Sequence, residues 1–435
     1  MTLDNIETML NAPLFDKNEM AKIEFVHQKF LETAKIFGFN LMEPSPIELL
    51  SVLEAKSGPS IRDEIYQFKD KGDREVALRF DFTVGLTRYA ASQKTLKLPA
   101  KFSSFGGVWR YDEPQKGRYR FFHQWNIETF GNLNTEHDAE IIEFTSRFFD
   151  NLNLGNIVID INHRKLAESY ISQIFESNET TLLHDIFRAV DKTQKKSKDE
   201  ILQEYKKKGY SPEKLEKILE FSNLKGTPSE IEQYLKISNL SPLPGWDELC
   251  TLYDTLKGRG VDNIRINFGV VRGLDYYTGI IFEAFDSTSD LGALVGGGRY
   301  DSLPNAFGRD DLGATGVAGG IERIILCLDD SGVRTYSSTY SGVSVLYVND
   351  ELKPHAINCA SKLRKLGIPT NINLTAKSLK KQMEDSSHSK FCIIFAPKEF
   401  AEKNVVLRNM MDRTEKQISL DELITNPKHV LLVNL

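Results

Sequence analysis

Residues Phe102–Gly131 read FSSFGGVWRYDEPQKGRYRFFHQWNIETFG, and the second half of the stretch alternates with a period of two. Arg118, Arg120, Phe122, Gln124, Asn126 and Glu128 fall on one face of an extended strand. Tyr119, Phe121, His123, Trp125 and Ile127 fall on the other. The second set is what a core requires. The first lines up two guanidiniums, two amides and a carboxylate. Upstream, Val108, Arg110 and Asp112 share a face of a shorter strand, and Glu113-Pro114-Gln115-Lys116-Gly117 supplies a turn, so the stretch predicts an antiparallel hairpin. The polar face has two readings. It is either a wet surface whose ion pairs contribute little, or a site for a polyphosphate, because planar guanidinium forks bond anionic oxygens in pairs. In the second case Gln124 and Glu128 are placed to read a polar ligand.

Three other stretches carry charge in apolar surroundings. Val76–Thr83 (VALRFDFT) reads as a strand with Arg79, Asp81 and Thr83 on one face. A carboxylate and a hydroxyl so spaced can hold an ammonium group, or can simply be solvated. Arg272, in Phe268–Phe285 (FGVVRGLDYYTGIIFEAF), is flanked by glycine and apolar residues, where an unpaired guanidinium is costly to bury; it calls for an anion. Gly313–Leu326 (GATGVAGGIERIIL) reads as a small-residue strand passing into a helix, with Arg323 in the first turn beside unpaired N–H groups and the positive dipole end. Leu294–Asp301 (LVGGGRYD) reads as a glycine-rich turn and lacks the GxGxxG spacing of a dinucleotide-binding loop.

Composition bounds what these stretches can belong to. The chain has 435 residues, 27% charged and 40% hydrophobic, which suits two or three globular domains. A net charge of −6 does not advertise a nucleic-acid binder, although a local basic groove is what phosphates feel. The four cysteines (Cys250, Cys327, Cys359, Cys392) form no CxxC pair and the eight histidines no HxxxH pair, which fits a reduced compartment and not a structural zinc site. No run of about 18 apolar residues suggests a membrane span.

The chain begins with an amphipathic helical stripe (Ile23, Val26, Phe30, Ala34, Phe37) stopped by Gly38, followed by a proline-bearing strand over Leu41–Glu48. Glu136–Leu152 reads as a core-packed helix and Ile157–Asn162 as a strand. Leu166 to about Gly260 is Lys- and Glu-rich, helical in period, and punctuated by turn residues. Its Lys192, Lys195, Lys196, Lys198, Lys206, Lys207 and Lys208 are either a phosphate-facing surface or a solvated face. Beyond a Ser/Thr-rich linker, strands and helices alternate from Val343 onward, as in a compact α/β domain.

The run WRYDEPQKGRYRFFHQWNIETFG resembles motif 2 of the class II aminoacyl-tRNA synthetases, and within that class the histidyl-tRNA synthetases. VRGLDYYTGIIFE resembles their histidine-specific motif, GIER followed by apolar residues resembles motif 3, and the Leu41–Glu48 segment resembles the dimer-forming motif 1. The short N-terminal strand motif usual in histidyl enzymes is not found in Met1–Met20. The resemblance implies an α+β fold: a class II antiparallel sheet flanked by helices, with a helical insertion and a C-terminal α/β anticodon-binding domain. It implies catalytic segments over 1–165 and 261–330, an insertion over 166–260, a linker over 331–341 and the anticodon-binding domain over 342–435.

It further implies histidine–tRNA ligation: activation of L-histidine with ATP, then transfer to tRNA(His), by a cytoplasmic homodimer with Mg2+ expected on the phosphates and no membrane association. Arg272 and Arg110 are the implied catalytic residues. Asp81, Phe82, Thr83, Gln124, Glu128, Tyr276 and Tyr277 join them around histidine; Arg110, Asp112, Arg118 and Arg323 bind ATP. No acid is assigned to the metal. The alternatives are a catalytically inactive paralogue, such as the regulatory subunit of ATP phosphoribosyltransferase, and an accessory nucleic-acid-binding protein. The first normally lacks the C-terminal domain and degrades the RGLDYY block, whereas this sequence keeps both; the second would lose Arg110 or Arg323.

Overall fold

The computed structural model describes residues 15–57, 59–111, 119–194, 196–237, 243–271, 277–332, 342–375 and 377–433. Two compact units divide the chain, Met1–Arg334 and Thr335–Leu435.

The first unit is built on a nine-stranded sheet. Its strands, in spatial order, are Asn40–Leu41, Ala100–Trp109, Phe121–Gly131, Gly313–Gly320, Val295–Arg299, Ile280–Asp286, Ile157–His163, Ile264–Asn267 and Lys225–Gly226. All neighbours are antiparallel except the first pair and the Ile157–His163/Ile264–Asn267 pair. The predicted hairpin is present, and its first strand is longer than the sequence suggested. Ala100 pairs with Phe130 and Trp109 with Phe121, and Arg110 N–H still bonds the Arg120 carbonyl at 2.9 Å.

The alternation of the second hairpin strand decides the layering. Trp125 and Ile127 are fully buried under two helices, Lys17–Ile36 and Thr135–Asn151. Phe30 of the first helix packs 5.6 Å from Trp125 and within about 6 Å of Phe144 and Phe148 of the second, at the tilted and edge-on geometries aromatic rings prefer. The first helix starts at a capping box, in which Asp16 accepts the Asn18 and Glu19 N–H groups while Glu19 accepts that of Asp16. The opposite face of the sheet is covered by the helix Thr83–Ser92. Phe82 and Leu86 pack there with Phe102, Phe130, Tyr277, Ile281 and Tyr300.

Three expectations are corrected. The strand expected over Val76–Thr83 is only Glu75–Leu78, and Thr83 is the first residue of a helix. Pairing stops because the neighbouring strand, Ile47–Leu49, begins just after Pro46, which accepts the Arg79 N–H at 3.0 Å but has no N–H to return. The strand expected over Leu41–Glu48 is two short strands in different sheets, Asn40–Leu41 and Ile47–Leu49, with Pro44 and Pro46 between them. The glycine-rich turn at Leu294–Asp301 is a central strand, Val295–Arg299. Its glycines are dictated by crowding. A Cβ on Gly297 would lie 2.4 Å from the Gly316 carbonyl, and one on Gly298, at φ +154°, would lie 2.3 Å from the Ile280 carbonyl.

Between Arg164 and Gly258 the described residues form six α-helices: Arg164–Phe175, Thr180–Asp191, Lys198–Lys207, Pro212–Ser222, Pro228–Ile237 and Trp246–Gly258. The last of them packs against Thr135–Asn151. The second unit holds a five-stranded sheet in the order Thr370–Ile372, Val343–Tyr347, Phe391–Phe395, Asn404–Asn409, Glu415–Ser419, parallel over the first three and antiparallel thereafter. The helix Lys353–Lys365 buries Ala356, Cys359, Ala360 and Leu363 against it. The strand Glu415–Ser419 and the helices Pro397–Ala401 and Pro427–Val433 were not legible in the sequence.

Candidate active site

The polar face of the second hairpin strand is not wet. Gln124, Asn126 and Glu128 are 2%, 0% and 1% exposed, and buried polar groups of this kind require partners. They have them in a continuous row. Arg110 donates to the Gln124 side-chain oxygen at 2.8 Å, Gln124 donates to Asn126 at 2.8 Å, and Asn126 donates to Glu128 at 2.9 Å. Arg110 also donates from Nε to the Phe80 carbonyl at 3.0 Å and lies 5.1 Å from the Phe122 ring centroid. At the far end, the Thr83 hydroxyl donates to Glu128 Oε1 at 2.7 Å and receives the Asn126 amide at 3.0 Å; the Tyr300 hydroxyl donates to Glu128 Oε2. Such a row fixes each side chain through its neighbour.

The surroundings explain how the row fits. Gly106 and Gly316 lie opposite Gln124 and Glu128 on the flanking strands, and Glu128 occupies the space a Gly316 side chain would need. Asp81 accepts the Val84 N–H at 3.4 Å at the start of the Thr83 helix. Phe82 is fully buried, with the Arg79 guanidinium 4.7 Å from its ring centroid. Arg79 is tied to the Gly107 and Pro44 carbonyls at 2.9 and 2.8 Å. Tyr277 is buried in the same cluster as Phe82 and Tyr300.

Arg323 stands in the first turn of Ile321–Asp330, directly after the strand in which Gly320 pairs with Gln124; its Nη1 donates to the Ala293 carbonyl at 2.9 Å. Beside it Glu322 accepts both the backbone N–H of His123, at 2.8 Å, and the ring Nδ1 at 3.0 Å, which fastens the helix to the hairpin. The structure thus brings Thr83, Arg110, Gln124 and Glu128 into one bonded row along the second hairpin strand, with Phe82 and Tyr277 in one apolar cluster and Asp81 at the start of the Thr83 helix. Asp112, Arg118, Arg272 and Tyr276 lie outside the described residues. Among those described, no group of three His, Cys, Asp or Glu side chains is placed to hold a metal.

Behind the sheet is a second polar cluster. Arg299 bonds Asp138 through Nη2 and Glu248 through Nη1 at 2.9 Å; Thr315 donates to Asp138 at 2.7 Å, and the His163 ring lies 3.2 Å from Glu248. Complete burial pushes the Asp138 carboxyl up to about 6 against the pull of Arg299. Burial also lowers the His163 ring, opposed by Glu248.

Three lysines of the helical segment are held in ion pairs. Lys196 reaches Glu204 at 2.8 Å and Lys192 bonds the same carboxylate, holding it near 2, while Lys198 reaches Glu216 and Glu220 at 2.6 and 3.3 Å. These positions favour the solvated-face reading; Lys195 lies outside the described residues.

A histidyl-tRNA synthetase family model matches residues 15–324, most of the chain, and an anticodon-binding domain model matches residues 342–428. The chain belongs to the histidyl-tRNA synthetase family. A histidine–tRNA ligase of Pyrococcus horikoshii is 32% identical over 434 residues, covering 98% of this chain and 99% of its own. One of Helicobacter pylori is 32% identical over 404 residues, covering 90% and 89%. The crystal structure of histidyl-tRNA synthetase from Nostoc sp. PCC 7120 superposes with a TM-score of 0.81 at 25% identity over 98% of both chains. An ATP phosphoribosyltransferase regulatory subunit/histidyl-tRNA synthetase from Bacillus halodurans C shares the fold, with a TM-score of 0.72 at 19% identity over 89% of this chain and 97% of its own.

Within this histidyl-tRNA synthetase fold, two residues of the row escaped the sequence reading of the site. Asn126 was detectable, since it falls between Gln124 and Glu128 on the same face. Tyr300 was not, because the three glycines before it resemble a turn and only the sheet register brings its hydroxyl to Glu128.

Proposed function

We propose that the chain activates L-histidine with ATP to histidyl-adenylate, releasing pyrophosphate, and then passes the histidyl group to the terminal ribose of tRNA(His). The observation that carries this reading is the buried row from Arg110 through Gln124 and Asn126 to Glu128, in a chain of this family.

In the first step a carboxylate oxygen of histidine attacks the α-phosphorus and the bond to pyrophosphate breaks. Two anions must meet, so positioning and charge neutralisation supply most of the catalysis. Arg110, already oriented by Phe80 and Gln124, holds the α-phosphate and carboxylate together with Arg272; Arg118 and Arg323 hold the ATP tail, and Asp112 lies by the adenine. Asp81, Thr83 and Gln124 take the α-ammonium group. Glu128 reads the imidazole: Thr83, Asn126 and Tyr300 donate to its two oxygens and fix the orientation of the carboxylate. A ring N–H of histidine donates to that carboxylate, and an analogue without the N–H forfeits the bond. Phe82, Tyr276 and Tyr277 close the pocket. A Mg2+ ion bound with ATP would supply positive charge to the phosphates; no residue of the chain is assigned to it.

The C-terminal unit binds the anticodon of tRNA(His). The protein is a cytoplasmic homodimer joined through the motif 1 segment, where Leu41, Ile47 and Leu49 are 57%, 46% and 46% exposed. No described helix is long and apolar enough to cross a membrane. The regulatory-subunit reading is not favoured, because relatives matching nearly the whole chain are named histidine–tRNA ligases. ATP–pyrophosphate exchange assayed with each amino acid tests the proposal. Exchange dependent on histidine is expected; a protein that exchanges with none, or with another amino acid only, is not this ligase.

A further inference from the structure

The cluster behind the sheet has no part in the chemistry described above, yet it costs a fully buried carboxylate. Arg299 is its hub: 13% of its side chain is exposed, and it spans Asp138, 1% exposed, and Glu248, 32% exposed. A buried ion pair is weak evidence for stability, since an apolar replacement of similar volume is often as good; what it fixes is one arrangement over others. Here the arrangement reaches the amino-acid pocket by two short routes. The Arg299 carbonyl accepts the Thr278 N–H at 2.8 Å, and Thr278 follows Tyr277. The next residue after Arg299 is Tyr300, whose hydroxyl bonds Glu128 on the opposite face. Immediately before Arg299, Gly298 is held at φ +154° against Ile280, where the strand has no side chain of its own to set its position.

The same hub gathers the two ends of the helical segment. His163 immediately precedes the helix Arg164–Phe175, and Glu248 lies in the first turn of Trp246–Gly258. Gly245, at φ +86°, sits so close that a Cβ there would meet the His163 ring at 2.4 Å. Thr315, which also bonds Asp138, pairs with Arg299 on the next strand.

We propose that Arg299 is a positioning residue for the histidine pocket, anchoring from behind the sheet the strand that presents Tyr300 to Glu128 and fixes the backbone beside Tyr277. This rests on the reading of that pocket as the histidine site. Arg299 touches no substrate. Its loss displaces the two tyrosines by the small distances that matter to a hydrogen-bonded pocket and leaves the ATP side, on other strands, largely as it was.

The test is the exchange reaction with separate titrations of histidine and ATP. Arg299→Met alone strands Asp138 as an uncompensated buried charge and risks not folding, so the decisive variant is Arg299→Met with Asp138→Asn, which removes both charges. The expected result is a histidine KM raised at least about tenfold, with the ATP KM within about twofold and a near-native thermal midpoint. Arg299→Lys, which keeps the charge but not the fork, is expected to restore only part of the histidine KM. A double variant with wild-type histidine KM, or with both KM values raised equally, overturns the proposal. Absence of histidine-dependent exchange in the unmutated protein instead overturns the reading of the pocket itself.

Discussion

A Cβ placed on Gly316 would come within 1.6 Å of a Glu128 carboxylate oxygen, across a register in which the two residues face each other on neighbouring strands. Gly316→Ala therefore evicts the Glu128 side chain or spreads the strands. Histidine-dependent exchange is expected to show a histidine KM raised at least about tenfold, roughly the 1.4 kcal/mol of one lost hydrogen bond. An unaltered KM with unaltered far-UV dichroism would show that Glu128 has a second productive position.

Glu128→Gln keeps the shape and removes the charge. Its amide nitrogen replaces one of the two oxygens, so it presents donors either towards Tyr300 or towards Thr83 and Asn126, all of which now donate to this residue. A loss of about 1–3 kcal/mol in urea unfolding is expected from the mismatched buried donors, together with a fall in histidine exchange on the order of 100-fold or more. Preserved discrimination between histidine and its ring-substituted analogues would remove Glu128 from the imidazole-reading role.

Arg110→Lys retains a positive charge but cannot bond Gln124 and the Phe80 carbonyl at once while reaching a third group. The expected loss is about 100- to 1,000-fold in the exchange kcat, typical of removing one transition-state donor. Unfolding in urea should change by about 1 kcal/mol. A large stability loss with intact kcat would make Arg110 a structural residue only.

Asp138 gives the stability a pH dependence of defined sign. Its folded pKa is raised by burial to about 6 from the ordinary 3.8. Between these values the folded chain keeps a proton that the unfolded chain has released, so stability present below about pH 4 declines as pH climbs through about 6. The size is about 3 kcal/mol for a two-unit shift. Urea unfolding of the wild type and of Asp138→Asn at pH 4, 5, 6 and 7 should differ by a term that grows in favour of the variant over that window. Parallel curves would place the titration elsewhere.

The two units predict separable defects. Leu363 is fully buried in the C-terminal core, and Leu363→Ala is expected to cost that unit about 2–5 kcal/mol. Exchange, which needs histidine and ATP alone, should be unchanged while charging of tRNA declines. An equal loss in both assays would contradict the assignment of the C-terminal unit to tRNA.

Period-two alternation was enough to foresee the hairpin, because Trp125 and Ile127 on one side and Gln124 and Glu128 on the other keep their faces in the structure. Alternation has no way to report that both faces are covered, since a polar residue bonded to a polar neighbour and one bonded to water are the same letter. Burial of the row comes from the helix Thr83–Ser92, whose start reads as strand in the sequence because VALRFDFT also alternates. Pairing with Pro46 decides against that reading, and it is a contact between residues 33 apart. The Val295–Arg299 strand was hidden for a related reason. Glycines signal turns when judged locally, whereas here they answer to the Gly316 and Ile280 carbonyls on flanking strands. Tyr300 was lost with them.

Gly297, Gly298 and Gly316 leave bare backbone where any methyl group would collide with a neighbouring strand or with Glu128. Any replacement at these three positions must move a strand or push the Glu128 carboxylate out of its place. Tolerated drift in this family is therefore expected on the helices that cover the sheet, while the three glycines stay fixed.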